Sequence, residues 1–190
     1  MKRIIIGIAG ASGVIYGIRL LEVLRAIPEI ETHLVMSRTA RMNIGIETDF
    51  TPAEVGALAD QVHKIGDVAS SLSSGSFRTE GMILAACSMK TLSGIVHSHA
   101  DDLLVRAADV VLKEQRRLVL MPRETPLHLG HCKLLYEACQ LGAIIAPPMP
   151  GFYGRPTSVA ALIDHSVGRV LDLFGIDAGV AFRWQGHKAA

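Results

Sequence analysis

The stretch Lys2–Gly13, with the sequence KRIIIGIAGASG, decides the fold. Its β-branched run Ile4–Ala9 predicts a buried strand, and Gly10–Gly13 predicts the turn that ends it. Along Val14–Ala26 the apolar residues recur at helical spacing, and Pro28 stops that helix. A buried strand that turns through glycine into a helix is the first unit of a parallel α/β sheet.

The same alternation of strand and helix continues along the chain. Later strands are predicted at His33–Met36, Gly81–Ala86, Arg117–Met121 and Gly142–Ala146. Helices are predicted to begin at Thr51 in a capping box, after Ser88, at Asp101 or Asp102, at Leu127, and at Thr157 or Ser158. This repetition predicts an α/β fold that is single-domain and Rossmann-like (flavodoxin-like), a parallel sheet with helices on both faces. We assign the domain to residues 1–186 and a C-terminal tail to residues 187–190.

Composition and charge disfavour several classes of protein. Nineteen Lys and Arg against eighteen Asp and Glu leave a net charge of +1, which argues against a broad nucleic-acid-binding surface. No segment approaches the roughly 20 apolar residues that a membrane-spanning helix needs, and the N-terminal apolar run is too short for a signal peptide. Cys87, Cys132 and Cys139 lack CxxC spacing and cannot all pair, so we expect a reducing compartment, the cytoplasm.

Ligands of such sheets bind at the carboxyl ends of the strands, so the loops there are the first candidates for a site. Gly10–Gly13 lets the backbone approach a phosphate or a ring, and the following helix is expected to offer free N–H groups. A tight turn without a ligand is the alternative. Ile8 breaks the GxGxxG pattern, and Ser37-Arg38 stands where NAD binding needs an acidic residue, so NAD is disfavoured. Ser37-Arg38 suits a phosphate instead.

Two further loops bring polar residues to the same edge. Ser88 and Thr91 open a helix, with simple N-capping by Ser88 as the alternative. Arg123 and Glu124 stand between two prolines after a strand. Arginine there can grip a phosphate and glutamate can move a proton, with an exposed ion pair as the alternative.

Other polar residues have simpler explanations when each is taken alone. Arg106 and Lys113 lie two turns apart on one helix face, where pairing with Asp109 accounts for both. Cys87 follows a strand, where a small buried residue is commoner than a nucleophile. The closely spaced histidines match no zinc-binding pattern and suit helix surfaces or caps, so no metal site is predicted. They are His97, His99, His128 and His131.

The loops also form an ordered set of motifs that runs from Lys2 to about Gly186 without a large gap. They are Gly10-Ala11-Ser12-Gly13, Ser37, Glu47-Thr48-Asp49, Ser74-Gly75-Ser76-Phe77, Cys87-Ser88-Met89-Lys90-Thr91-Leu92-Ser93-Gly94, Arg106-Ala107-Ala108-Asp109-Val110 with Lys113-Glu114, Pro122-Arg123-Glu124 and Pro150-Gly151-Phe152-Tyr153. As a set they resemble the flavin prenyltransferases, the UbiX-type enzymes formerly described as aromatic acid decarboxylases. Ala86 stands where the family usually has proline, and Lys90 lies at a variable position.

The resemblance implies an enzyme that prenylates its flavin. It implies transfer of a dimethylallyl group from dimethylallyl monophosphate to N5 and C6 of reduced FMN, without a metal. The product would serve a prenylated-FMN-dependent decarboxylase of the UbiD type, as in ubiquinone biosynthesis. The implied assembly is a homo-oligomer, a dodecamer, with the site at a subunit interface.

The resemblance also implies which residues form the site. FMN would be bound by Gly10, Ala11, Ser12, Ser37, Ser88, Met89, Lys90, Thr91 and Arg123. The substrate phosphate would be held by Tyr153 and Arg169 with Lys113 nearby, and with Arg106. Glu47 and Glu124 resemble the acid–base carboxylates, Ser12 lies close to the flavin, and Lys113 stabilises the leaving phosphate.

Three other functions compete with this one. A flavin-dependent decarboxylase acting directly on an aromatic or cysteinyl acid is the first, although the cysteine type carries a PASANT-like segment and a histidine after the second strand, which this sequence lacks. An NADPH oxidoreductase is disfavoured by the broken glycine pattern. A non-catalytic flavin carrier would not need Lys113, Glu124, Tyr153 and Arg169 together.

Overall fold

A parallel six-stranded sheet organises the chain, of which the computed structural model describes residues 1–186. Its strands pair in the order β3-β2-β1-β4-β5-β6, so the chain reverses its direction of travel across the sheet after β3 and crosses over to β4 beside β1. The predicted Rossmann-like fold is confirmed, and the predicted tail 187–190 lies outside the described residues. The strands are β1 (Lys2–Ile8), β2 (Ile30–Met36), β3 (Gln61–His63), β4 (Gly81–Cys87), β5 (Arg117–Pro122) and β6 (Ile144–Ile145).

Helices cover both faces of this sheet because its strands are apolar on both sides. Ile4, Ile6 and Ile8 of β1 join one buried cluster with α1, α2 and α7, whereas Ile5 joins a second cluster with α4, α5 and α6. In the described chain, no helix is long and apolar enough to cross a membrane. The helices are α1 (Val14–Arg25), α2 (Arg38–Glu47), α3 (Pro52–Gly56), α4 (Met89–Val96), α5 (Leu103–Lys113), α6 (Leu129–Gln140) and α7 (Val159–Asp172).

Side-chain caps set where most helices begin. The capping box of Thr51 and Glu54 is confirmed at α3. Asp102, rather than Asp101, caps α5, and Ser158, rather than Thr157, caps α7. His128 accepts hydrogen bonds from the first amides of α6, so that helix begins two residues later than its apolar pattern indicates.

Two elements have no counterpart in the sequence-based prediction. Helix α2 buries only Ala40 and Ile44, so its apolar periodicity is too weak to read. Strand β3 has three residues and lies at the sheet edge with much of its surface exposed. Strand β6 is shorter than predicted, because only Ile144 and Ile145 of Gly142–Ala146 pair with β5.

A chain of hydrogen-bonded side chains connects β2, β3 and the segment that follows β3. Nδ1 of His33 lies 2.9 Å from Nε2 of His63, and Nδ1 of His63 lies 2.8 Å from Oγ of Ser70. Nε2 of His33 lies 3.2 Å from Oε1 of Glu31, a contact without the geometry of a hydrogen bond. Burial lowers the pKa of His33 and of His63, against the opposing effect of Glu31 on the first and of Asp67 on the second.

We expect this histidine pair to make the fold sensitive to mild acid. The unfolded chain takes up protons near the ordinary pKa of about 6.5, whereas His33 and His63 in the folded chain stay neutral to lower pH. The contribution of these two histidines to the free energy of unfolding is therefore fully present above about pH 6.5. It is lost as the pH falls from there toward the lowered pKa values. Thermal denaturation between pH 7 and pH 5 measures how steeply the melting temperature falls with pH. The double variant His33→Gln/His63→Gln should show a shallower slope, and an unchanged slope would contradict this assignment.

Candidate functional site

A cavity of about 350 Å³ opens at the carboxyl edge of the sheet, where β1, β4 and β5 end. Six of the FMN-binding residues implied by the sequence line it, together with Glu124 and with Thr125, which the sequence did not single out. The whole lining is Gly10, Ala11, Ser12, Ser88, Met89, Arg123, Glu124 and Thr125. The loops after three strands thus form one polar hollow at the position where parallel α/β sheets bind ligands.

The backbone of this cavity presents unpaired donors. The amides of Gly10, Ala11 and Ser12 donate to no protein group within residues 1–186. Gly10 also has no room for a side chain, since a Cβ there would lie 2.6 Å from Cβ of Thr39. Ser88 caps α4 by accepting from the amide of Thr91 at 3.3 Å, which fixes the helix start that faces the same hollow. Successive free N–H groups of this kind bind anions such as phosphate.

Arg123 adds a fixed positive charge to the cavity. Its amide donates to the carbonyl of Cys87 at 3.1 Å, and its Nε donates to the carbonyl of Ser12 at 3.3 Å. Both terminal nitrogens are without a protein partner in the described part of the chain, so they can grip a phosphate with two hydrogen bonds. Glu124 is exposed next to it and accepts only from the amide of Thr125, at 3.1 Å.

The carboxylate of Glu47, the last residue of α2, lies at the start of α1, where free amides were expected. Its Oε2 accepts from the amides of Gly13 at 2.8 Å and Val14 at 3.2 Å, although the two elements lie about thirty positions apart in the sequence. The expectation that this helix offers free N–H groups is therefore wrong, because a carboxylate from the end of α2 already caps it. A ligand anion must use the amides of Gly10–Ser12 instead.

Ser37, Thr91 and Lys90 lie around the cavity rather than in its wall. Ser37 caps α2 through the amide of Ala40 at 3.0 Å, beside the loop at Gly10. Thr91 is buried behind Ser88, with 3.0 Å between their hydroxyl oxygens. Lys90 points elsewhere, because it lines a separate hollow of about 490 Å³ between α4 and the start of α5.

Lys113 lies at the opposite edge of the sheet from the cavity. It ends α5, and β5 begins only a few residues later, so Lys113 sits where the strands start. The cavity lies at the carboxyl edge, one strand length or about 20 Å away. Lys113 contacts Glu114 beside Gly75, and the lysine holds the pKa of the Glu114 carboxyl below its ordinary value.

Lys113 therefore does not meet Tyr153 and Arg169 within one subunit, so the expected neighbourhood of the three residues requires the subunit interface that the sequence resemblance implies. Helices α5 and α7 lie on opposite faces of the sheet, so Lys113 and Arg169 are separated by the sheet itself. Arg106 also stays on the α5 side, where it donates to Asp109 at 2.8 Å and to the carbonyl of Ser73 at 3.0 Å.

Tyr153 and Arg169 form a second polar region next to α7. The hydroxyl of Tyr153 lies 2.9 Å from Nε2 of His165. Nη1 of Arg169 donates to Oδ2 of Asp172 at 2.8 Å, and Arg183 donates to both oxygens of that carboxylate. A cavity of about 290 Å³ lies here, lined by His165, Arg169 and the Pro147–Met149 loop among others. His165 and Asp172 were missed, although their spacing from Arg169, one turn before and one turn after, was readable in the sequence.

The sequence raised two other chemistries, a cysteine nucleophile and a metal site. Cys87 is fully buried, and burial raises the pKa of its thiol to about 12, so no nucleophilic thiolate forms there near neutral pH. Among residues 1–186, no three His, Cys, Asp or Glu side chains come together as a metal-binding group.

Known proteins match this chain over nearly its whole length. The sequence model of the Flavoprotein family matches residues 1–169. Flavin prenyltransferase UbiX of Escherichia coli K12 is 60% identical, over 98% of this chain and 100% of that protein. A crystal structure of a dodecameric FMN-dependent UbiX-like decarboxylase from Escherichia coli O157:H7 superposes with a TM-score of 0.96 at 50% identity, over 97% of this chain and 100% of that one.

A second solved structure resembles the chain as closely. AnUbiX (PadA1), in complex with FMN and dimethylallyl pyrophosphate, gives a TM-score of 0.96 at 51% identity, over 98% of this chain and 99% of that one. Identity of this order across entire chains shows descent from one family as well as a common fold. The chain belongs to the Flavoprotein family and, within it, to the flavin prenyltransferases of the UbiX type.

Proposed function

We propose that this flavin prenyltransferase moves a dimethylallyl group from dimethylallyl monophosphate to N5 and C6 of reduced FMN. The observation that carries the proposal is the cavity at the carboxyl edge, with its three unpaired amides and the free guanidinium end of Arg123. Its donors suit a flavin and its phosphate. AnUbiX, a relative at 51% identity, was solved in complex with FMN and dimethylallyl pyrophosphate.

The residues of this chain divide the work of binding between them. The amides of Gly10–Ser12, the start of α4 at Ser88 and Met89, and Arg123 would hold FMN, with Ser37 and Thr91 supporting the loops. When bound, reduced FMN supplies the nucleophilic positions that accept the dimethylallyl group. Arg123 and the amides bring fixed positive charge into the cavity. These groups are already in place, so they need little reorganisation as negative charge develops on the departing phosphate.

The departing phosphate needs cations that one subunit does not gather. Tyr153 and Arg169 lie on one face of the sheet, and Lys113 and Arg106 on the other. We therefore place each active site between subunits, with Lys113 and Arg106 supplied to a cavity by a neighbouring copy. A homo-oligomer closes such heterologous contacts by symmetry, and the UbiX-like relative from Escherichia coli O157:H7 is dodecameric. The product then passes to a decarboxylase that uses prenylated FMN.

Glu47 and Glu124 are the carboxylates available for proton transfer. Glu124 is exposed in the cavity wall, bound only by its neighbouring amide. Glu47 lies at its margin and accepts from the amides of Gly13 and Val14 at the start of α1. Closing a ring at C6 requires removal of a proton, and a carboxylate within reach of that position performs general-base catalysis.

Mass spectrometry of the flavin provides the direct test. Anaerobic incubation with reduced FMN and dimethylallyl monophosphate should add the mass of one dimethylallyl group to the flavin. Dimethylallyl diphosphate, run in parallel, reports which phosphate ester is used. An unchanged flavin mass with both donors contradicts the proposed function, and release of carbon dioxide from an aromatic or cysteinyl acid would support the decarboxylase alternative.

Glu47→Gln separates the catalytic role of Glu47 from its role as a cap. Glutamine keeps one oxygen that accepts from Gly13 and Val14 but loses the basic charge. We expect a loss of roughly 10²–10⁴-fold in the rate of product formation, with FMN binding and the melting temperature nearly unchanged. Glu47→Ala should also lower the melting temperature, since it removes the cap. Product formation by Glu47→Gln at the normal rate would remove Glu47 from the mechanism.

A further inference from the structure

His165 lies on α7 between two cavities and contacts Tyr153. Its Nε2 is 2.9 Å from the Tyr153 hydroxyl oxygen, and the two rings meet edge to face with centroids 5.4 Å apart. It lines the cavity of about 290 Å³ together with Arg169, one helical turn away, and also a smaller one of about 180 Å³ beneath Gly151. His165 thus joins the phenol and the guanidinium that the proposed function assigns to the substrate phosphate.

The surroundings hold this contact in place. At Gly151 a Cβ would lie 3.0 Å from Nε2 of His165 and 3.2 Å from the Tyr153 ring, so a side chain there would press on both rings. The rings of Phe182 and Trp184 pack against Tyr153 with centroids 5.6 Å and 6.0 Å away. The phenol is therefore flanked by aromatic rings, although about half of Tyr153 stays exposed, and its hydroxyl lies within hydrogen-bond distance of the imidazole.

The position of the imidazole proton decides what Tyr153 can do. With the proton on Nδ1, Nε2 accepts from the Tyr153 hydroxyl, and that hydroxyl has no proton left for an anion. With the proton on Nε2, the imidazole donates to the Tyr153 oxygen and leaves the phenolic proton free. Nδ1 is buried and has no partner in the described part of the chain. A buried N–H without a partner is rarer than a buried acceptor without one, which favours the proton on Nε2.

We infer that His165 is a positioning residue for prenyl transfer, which donates from Nε2 to Tyr153 so that the phenolic proton points at the substrate phosphate beside Arg169. The inference rests on the proposed function, which gives Tyr153 and Arg169 the phosphate of dimethylallyl monophosphate. Asp172 completes the arrangement, because it holds one end of the Arg169 guanidinium at 2.8 Å and leaves the other end free. Phenol and guanidinium then approach one anion from two directions.

Three variants test the contact through kinetics. His165→Phe should raise KM for dimethylallyl monophosphate about tenfold, the effect of one hydrogen bond to a charged group, with the Kd for FMN unchanged. His165→Gln keeps an N–H donor near the position of Nε2 and should restore most of the loss. In a Tyr153→Phe background, His165→Phe should change KM less than twofold, because the shared contact is already gone. Equal KM in His165→Phe and the wild type, or full additivity of the two changes, would overturn the inference.

The tautomer of His165 gives a readout that does not depend on turnover. Nitrogen chemical shifts of the ¹⁵N-labelled full-length protein, assigned by comparison with His165→Gln, should show the neutral ring protonated at Nε2. Adding dimethylallyl monophosphate should shift this signal in the wild type and leave it unmoved in Tyr153→Phe. Protonation at Nδ1 would overturn the inference. If the wild type makes no prenylated flavin, the proposed function fails while the tautomer still decides how His165 holds Tyr153.

Discussion

Alanine at Lys113 is expected to lower the rate of flavin prenylation about 10²–10³-fold, the usual effect of removing one group that stabilises developing negative charge. The subunit should keep its stability, because Lys113 is half-exposed and its ammonium pairs with the neighbouring Glu114 beside the Gly75 loop. An exposed pair of this kind contributes little to stability. Measured kcat/KM with dimethylallyl monophosphate, beside the melting temperature, distinguishes the two effects.

Mixed oligomers test where that lysine acts. Lys113→Ala and Glu124→Gln should each be nearly inactive alone. If each site takes Lys113 from one copy and Glu124 from another, a 1:1 mixture assembled at random regains about one quarter of the wild-type sites. Mixing Lys113→Ala with the double variant Lys113→Ala/Glu124→Gln is the matched control and should regain nothing. Activity of the first mixture equal to the mean of its two components would show that each site is built within one subunit.

The strands and helices of the central fold were predictable because their sequence patterns are local. Ile4–Ala9 and Gly81–Ala86 are continuous apolar runs of strand length, followed by Gly10 and by Cys87-Ser88. Thr51 and Glu54 stand at the spacing of a capping box, which the structure contains. In each of these, the residues that determine the element lie within a few positions of one another.

Helix α2 and the role of Glu47 were not predictable from such patterns. With two buried residues in ten, α2 lacks an apolar stripe, and it depends on the Ser37 cap and on packing against α1. The contact of Glu47 with Gly13 and Val14 joins positions more than thirty residues apart. The glycine turn alone indicates free amides there, and only the folded chain shows a carboxylate upon them.

The residues of the candidate site were likewise predictable only in part. Topology alone predicts that the loops at Gly10–Ser12, Ser88 and Arg123 meet, since parallel strands end at one edge. It predicts equally that Lys113 does not join them, because a helix that connects parallel strands returns to the opposite edge. The ordered motifs indicate that Lys113, Tyr153 and Arg169 belong to one site. They do not indicate which subunit supplies each residue.

Alanine at Gly17 is expected to destabilise the protein by about 3 kcal/mol, the upper end of the usual effect of overpacking. Gly17 is buried in the middle of α1, where a Cβ would overlap the carbonyl oxygen of Ala85 in β4 and lie 2.7 Å from the Ile8 side chain in β1. A backbone oxygen in a central strand cannot move aside, so α1 would have to lift from the sheet. Its first amides, which hold Glu47 beside the cavity, would move with it.

Gly45 provides the matched control, because it also lies within a helix but has open space around it. Alanine there should stabilise the protein by about 0.5–1 kcal/mol, the difference in helix propensity between the two residues. The same chemical change, one methyl group on a helical glycine, is thus expected to have opposite signs at the two positions. Melting temperatures at one protomer concentration measure both, since assembly makes the midpoint depend on concentration. A Gly17→Ala protein as stable as the wild type would contradict the expected overlap between α1 and β4.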